Sequence, residues 1–264
     1  MSEKLKHVFE DTRRQWSKHP RLYVATQEAA EKSICVDMDQ YEPFLIDSEK
    51  RLGRITVVNE RSFASCHNLK LGVTVLNFAS ATKPGGGVLN GSVAQEECLC
   101  RCSNLYYCLR QSRFMESFYL PHREIDALYD NRMILSPDVT VFKSDTEEPT
   151  LLPEQEWRKR TIISCAAPNL RRLGSIDEDI LENILDKRIE GILDLAHLAS
   201  TRTLVLGAFG SGVFQNPPEL VSKIFYHHLV TMEKRYWFDG VIFAVLATSK
   251  KSEHNLRVYE KTFA

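Results

Sequence analysis

The sequence predicts an α/β layered domain built on a mixed sheet. Short, continuous apolar runs alternate with stretches of helical periodicity along most of the chain. Two glycine-rich loops, Pro84-Gly85-Gly86-Gly87-Val88-Leu89 and Gly207-Ala208-Phe209-Gly210-Ser211-Gly212-Val213-Phe214, each follow an apolar run and lead towards an expected helix.

Residues 1–33 read as helical, because Leu5, Val8 and Phe9 recur at helical spacing and Gln27 to Lys32 are helix formers, with Pro20 as an interruption. The stretch 34–53 reads as irregular or as holding a short strand. Strand-like runs follow at 54–59, 73–78, 139–142, 161–166, 203–206 and 241–246. They are continuously apolar rather than alternating, as expected of strands covered on both faces. Helical segments lie between them at 92–110, 177–200 and 218–236. The second carries an apolar stripe of Ile180, Leu181, Ile184, Leu185, Ile189, Ile192, Leu193 and Ala196, read as core. The third opens on prolines, where a helix tolerates them. The charged stretch 143–156 contains two prolines and reads as a surface loop. The expected organisation is an N-terminal helical extension at 1–53 and a main domain at 54–264, forming one compact unit.

Composition narrows the function classes. With 34 basic and 35 acidic residues, global charge favours neither duplex nucleic acid nor a basic membrane-surface patch. The first 20 residues are charged and polar, unlike a signal peptide, and no apolar stretch approaches the roughly 20 residues that span a bilayer. A cytoplasmic, monomeric protein without membrane contact is expected. Four of the seven cysteines, Cys98, Cys100, Cys102 and Cys108, crowd one helical segment, where positions two apart point in different directions. Reduced, buried thiols fit this better than a metal site. The histidines His67, His122, His197, His227, His228 and His254 lack metal-ligand spacing. No metal and no cofactor is assigned.

Chemistry concentrates at the two loops. Glycine permits sharp turns and close approach of backbone N–H groups to a ligand, so two such loops facing one ligand would cradle a diphosphate. Behind the first, Ser92-Val93-Ala94-Gln95 fits a capping box with Ser92 as N-cap, which puts Gln95, Glu96 and Glu97 in the first helical turn. Acidic residues there have an ordinary explanation in the helix dipole. They also suit glycosidic chemistry, which needs a proton donor for the leaving oxygen or a carboxylate to stabilise the cation. The two demands conflict, since the dipole lowers a carboxyl pKa whereas desolvation and a neighbouring carboxylate raise it. Adjacent helical positions diverge by about 100°, so Glu96 and Glu97 need not share a task. The second loop can bind phosphate through backbone N–H groups without a lysine; it is neither a Walker loop nor a dinucleotide fingerprint. Phe209 and Phe214 fit either the core or contact with a ribose or base. Cys165-Ala166-Ala167-Pro168-Asn169 closes a strand with small residues that admit a ligand or simply make a turn. No serine lies in a nucleophile-elbow context.

Gly85-Gly86-Gly87, seven intervening residues, then Gln95-Glu96-Glu97 resembles the signature of poly(ADP-ribose) glycohydrolases. The flanks are similar to the microbial type of that family: Leu76-Asn77-Phe78-Ala79-Ser80-Ala81, Ala167-Pro168-Asn169, Gly207 to Pro217, and Phe243-Ala244-Val245-Leu246. The resemblance covers the chain from about residue 54 onward. It implies a macrodomain, with a mixed sheet between helical layers (a three-layer α/β/α fold) and an N-terminal helical extension. It implies hydrolysis of ribose–ribose O-glycosidic bonds of poly(ADP-ribose), without metal, to release ADP-ribose. Glu97 would be the catalytic acid and base, Glu96 would hold ribose hydroxyls, and Phe214 would lie by the distal ribose. Further ADP-ribose contacts would come from Asn77, Gly85, Gly86, Gly87, Val88, Gln95, Gly207, Gly210, Ser211, Gly212 and Val213. The implied partners are ADP-ribose and poly(ADP-ribose) or ADP-ribosylated proteins, and nucleic acid only where it carries ADP-ribose. A non-catalytic ADP-ribose reader, or a hydrolase of single ADP-ribose marks, would use the same site. Two positions depart from the family pattern: Ser211 replaces a more usual cysteine, and Ala247 stands where an acidic residue is more typical.

Overall fold

A computed structural model describes residues 2–41 and 50–264. Met1 and residues 42–49 of the 34–53 stretch lie outside the described residues. Among the described residues seven strands form one sheet: β1 Ile34–Asp37, β2 Arg54–Val58, β3 Val73–Phe78, β4 Arg132–Val141, β5 Arg158–Cys165, β6 Thr203–Leu206 and β7 Gly240–Ala244. Their order is β1-β4-β5-β3-β6-β7-β2. β4 runs antiparallel to β1 and β5, and the remaining neighbours pair in parallel. The sheet is therefore mixed, as expected.

Strand periodicity explains the layers. Side chains at successive positions face opposite sides. Val75, Ile162 and Val205 accordingly join one core cluster, whereas their neighbours Leu76, Ile163, Leu204 and Leu206 join the other. The first cluster is covered by α1 Glu3–Lys18, α2 Pro20–Lys32, α3 Gln95–Cys102 and α4 Leu105–Leu109. The second is covered by α5 Glu178–Leu198, α6 Pro218–Tyr226 and α7 Lys250–Thr262. This is a three-layer α/β/α sandwich. Pro20 starts α2 at a position where its missing N–H is no loss. Among the described residues no helix is long and apolar enough to cross a membrane. The seven cysteines are free thiols, six of them buried.

Several elements differ from expectation. β4 begins at Arg132, not at residue 139, and passes through a bulge between Ser136 and Val139 where Asp138 takes φ 58°. Pro137-Asp138 reads as a break in sequence but is absorbed by the bulge. The helix expected over 92–110 divides at Ser103–Asn104, because the Asn104 side chain accepts the Thr140 N–H at 2.8 Å and donates to Thr26 at 3.0 Å. The helix expected over 218–236 stops at Tyr226 and continues as a wider turn over His227–Thr231. Ile180 is exposed and leaves the core stripe of α5. The loop after β4 is not wholly superficial: Lys143 is buried and pairs with Asp11 at 2.8 Å. α7 was not anticipated; Ser249 and Ser252 form its capping box, and Tyr259 anchors it in the core.

The N-terminal helices share the main core. Phe9, Trp16 and Leu22 belong to the same cluster as Val75 and Ile162. Phe9 meets Tyr106 edge-on at 5.1 Å, and a Cβ added to Gly85 would lie 2.6 Å from that tyrosine ring. The extension thus packs directly behind the first glycine loop.

Candidate active site

The C-terminal ends of β3, β6 and β7 open into one cleft of about 670 Å³. Parallel strands aimed the same way collect their following loops on one edge, which is where an α/β sheet forms its ligand crevice. Both glycine loops border this cleft: Gly86 and Gly87 from the first, Gly210, Gly212, Val213 and Phe214 from the second. Gln95, Glu96 and Glu97 also border it.

α3 presents these three side chains in its first turn, but not through the expected cap. The N-cap is Ala94, without a side-chain cap bond. Ser92 and Gln95 therefore form no capping box. Gln95 instead reaches back to the sheet: its Oε1 accepts the Phe78 N–H at 2.9 Å, and its Nε2 donates to the Leu76 carbonyl at 2.8 Å and to Ser62 at 3.0 Å. This clamp ties the start of α3 to the end of β3.

Glu96 is buried and well partnered. Its Oε2 accepts the Ser80 N–H at 2.8 Å, and its Oε1 faces Asn77 Nδ2 at 3.4 Å. Burial pushes its carboxyl up to about 8, with the neighbouring Glu97 adding to the rise and the Ser80 N–H opposing it. Desolvation therefore wins over the helix terminus at this position. Glu97 is placed differently. Gly87 N–H donates to its Oε1 at 2.7 Å, and its Oε2 is buried without a partner among the described residues. Gly86, at φ 55°, permits this: an added Cβ would lie 2.6 Å from Glu97 Oε1 and 2.9 Å from Glu96 Oε2.

The two loops consequently do different work. In the first, Gly86 N–H donates to the Lys83 carbonyl and Gly87 N–H to Glu97, so its amides shape the turn and hold a carboxylate. In the second, the N–H groups of Gly212, Val213 and Phe214 find no acceptor among the described residues. These three sit at the tip of the loop and are available to an anion. The second loop is held from below by Asn216, buried, whose Nδ2 donates to the Pro168 carbonyl at 2.8 Å and the Gly210 carbonyl at 3.1 Å. Phe214 is half-buried on the cleft wall, and its carbonyl accepts the Leu170 N–H at 3.0 Å. Phe209 is core, edge-on to Phe78 at 6.0 Å.

Five residues of the expected contact set stand behind the cleft wall. Asn77 supports Glu96 and Ser164, the latter at 3.0 Å. Val88 is fully buried. Gly85 turns against Tyr106, and Gly207 packs against the Ala244 carbonyl. Ser211 is buried, and its hydroxyl has no partner among the described residues. Conversely, sequence reasoning missed several wall residues. Arg61 and Asp145 form a polar corner with Cys98, and burial raises the Asp145 carboxyl. Thr248, Ser252 and Asn255 enter from the start of α7, and finding them needed the Ser-x-x-Ser cap. No cluster of three or more His, Cys, Asp or Glu side chains arranged to hold a metal occurs among the described residues.

Comparison with known proteins agrees with this geometry. A family model described as the catalytic domain of microbial-type PARG matches residues 6–144. The chain is similar to the crystal structure of poly(ADP-ribose) glycohydrolase from Thermomonospora curvata, with 29% identity, 99% of this chain and 100% of that one covered, and a TM-score of 0.87. The same enzyme bound to the inhibitor ADP-HPD matches at 28% identity over 99% and 100% of the two chains, with a TM-score of 0.84. The enzyme from Deinococcus radiodurans in complex with ADP-ribose matches at 29% identity over 90% and 96%, with a TM-score of 0.80. No curated protein matches the chain.

Proposed function

The chain belongs to the microbial-type poly(ADP-ribose) glycohydrolase family, and from that premise we propose that it hydrolyses ribose–ribose O-glycosidic bonds of poly(ADP-ribose), with Glu97 as acid and base. ADP-ribose lies along the cleft with its diphosphate against the free amides of Gly212, Val213 and Phe214. The distal ribose rests beside Phe214, with its anomeric carbon towards Glu97.

Each carboxylate has one task. Glu96, neutral at pH 7 because burial raises its carboxyl to about 8, both donates to and accepts from ribose hydroxyls. Glu97 protonates the leaving ribose oxygen as the C1″–O bond breaks. It then takes a proton from the water that attacks the oxocarbenium-like centre, which returns it to its starting state. The supporting observation is the asymmetry of Glu97, a residue bordering the same cleft as the phosphate-ready loop, with one oxygen pinned by Gly87 and the other buried without a partner among the described residues. A reader of ADP-ribose needs the loop but has no use for a carboxylate held in this way.

The N-terminal helices act with the main domain as one unit, a reading supported by the shared core of Phe9, Trp16 and Val75. Seven free thiols support a reducing compartment such as the cytosol. Incubation with poly(ADP-ribose) tests the function: release of free ADP-ribose is expected. Tight binding of ADP-ribose with no release would establish a reader, and release only from singly modified protein would establish a mono-ADP-ribose hydrolase.

A further inference from the structure

The second loop carries free amides at its apex, yet little packing fixes their direction there. A Cβ built on Gly212 would meet no atom of the described residues within 4 Å, and Gly212 and Val213 are exposed. Steric contact therefore does not choose between the two orientations of the Gly212–Val213 peptide plane. One contact does. Lys251 Nζ, reaching from the first turn of α7, donates to the Gly212 carbonyl at 2.9 Å. In a planar trans peptide the C=O and the following N–H point in opposite directions. A carbonyl held towards Lys251 sends the Val213 N–H the other way. Lys251 is not on the cleft wall, whereas Gly212 and Val213 are. The lysine stands on a firm base, because α7 is closed by its capping box and Tyr259 and Leu256 are buried beneath it.

We infer that Lys251 is a positioning residue for the second glycine loop: by holding the Gly212 carbonyl it locks the adjoining peptide plane so that the Val213 N–H faces the cleft and binds a phosphate oxygen of the substrate. This rests on the ADP-ribose glycohydrolase reading. The ammonium acts through the peptide, not by touching the ligand. Its contribution falls on binding more than on the chemical step, since the diphosphate lies away from the bond that breaks.

The test uses the full chain and three proteins: wild type, Lys251→Met, which keeps the stem but loses the donor, and Lys251→Arg, which keeps a donor. ADP-ribose affinity is read by calorimetry, KM and kcat with poly(ADP-ribose), and the Val213 amide resonance of the ligand-free protein by ¹⁵N NMR. Lys251→Met is expected to weaken ADP-ribose and raise KM by about five- to tenfold with kcat altered less than about twofold, as suits one lost charge-assisted hydrogen bond. Its Val213 resonance should shift before any ligand is added. Lys251→Arg should recover both affinity and resonance. Unchanged affinity in Lys251→Met overturns the inference. So does weakened affinity with an unmoved Val213 resonance, which would mean a direct charge effect, or a loss confined to kcat. Wild type that neither binds nor releases ADP-ribose would instead defeat the functional reading.

Discussion

Gly87 N–H holds Glu97 by one carboxylate oxygen at 2.7 Å, and the other has no partner among the described residues. The first glycine loop is thus a carboxylate holder, built so closely that only glycine fits beside it. Its neighbour Gly86 sets the tolerance. With φ at 55° and an added Cβ 2.6 Å from Glu97 Oε1, Gly86→Ala must move the carboxylates. The substitution should lower kcat by about 10²-fold or more through misplacement, and cost about 1–2 kcal/mol of stability for a left-handed non-glycine residue. Steady-state turnover and urea unfolding read the two effects separately.

Glu96 makes stability depend on pH. Its carboxyl is raised to about 8 in the fold, against an ordinary value of 4.5. The folded state therefore holds a proton that the unfolded chain releases above the ordinary value. Its stabilising contribution is complete below about pH 4.5, declines as pH rises, and is gone above about pH 8. The thermal midpoint should fall across this window, and Glu96→Gln should flatten that fall. ADP-ribose affinity should also weaken above about pH 8, as a negative charge appears on Glu96 near the diphosphate. Thermal scans and calorimetry across pH 5 to 9 check both outcomes.

The second loop depends on Asn216. Asn216→Ala removes two buried bonds, to the Pro168 and Gly210 carbonyls; the Gly210 oxygen keeps the Asn216 backbone N–H, but the Pro168 oxygen loses the donor shown for it. A loss of about 1–3 kcal/mol in stability is expected, together with weaker ADP-ribose binding. Denaturant titration and calorimetry measure these quantities.

The shared core makes a prediction about domain behaviour. Phe9 is fully buried between Trp16 and Tyr106, and Tyr106 backs Gly85. Phe9→Ala should cost about 3–5 kcal/mol, and scanning calorimetry should still give one transition with a lower midpoint. Two separate transitions would mean that the extension folds independently.

Strands were the most legible part of the fold, because parallel strands buried on both faces read as plain apolar runs. β3 and β6 appear with the expected bounds, and the loops after them carry the glycines that shape the site. β4 was only half legible, since a bulge around Asp138 hides strand continuity behind a turn-like dipeptide. The capping box at Ser92 failed for a tertiary reason: Gln95 gains more from three bonds to β3 and Ser62 than from its own helix terminus. The acidic pair could be located from sequence, but not its division of labour. That division follows from which backbone N–H groups reach each oxygen, a matter of contacts between residues 80, 87, 96 and 97. Local propensity holds no record of Asn216 or Lys251 either, because each acts on a loop distant from its own helix or across a turn.

Glu97→Gln tests the central claim most directly, because it keeps the shape of the side chain and removes its proton chemistry. With poly(ADP-ribose) as substrate, release of ADP-ribose should drop by about 10²- to 10⁴-fold, while calorimetry shows ADP-ribose still bound with an affinity close to wild type. Turnover that survives the substitution would contradict the assignment of Glu97 as the acid and base.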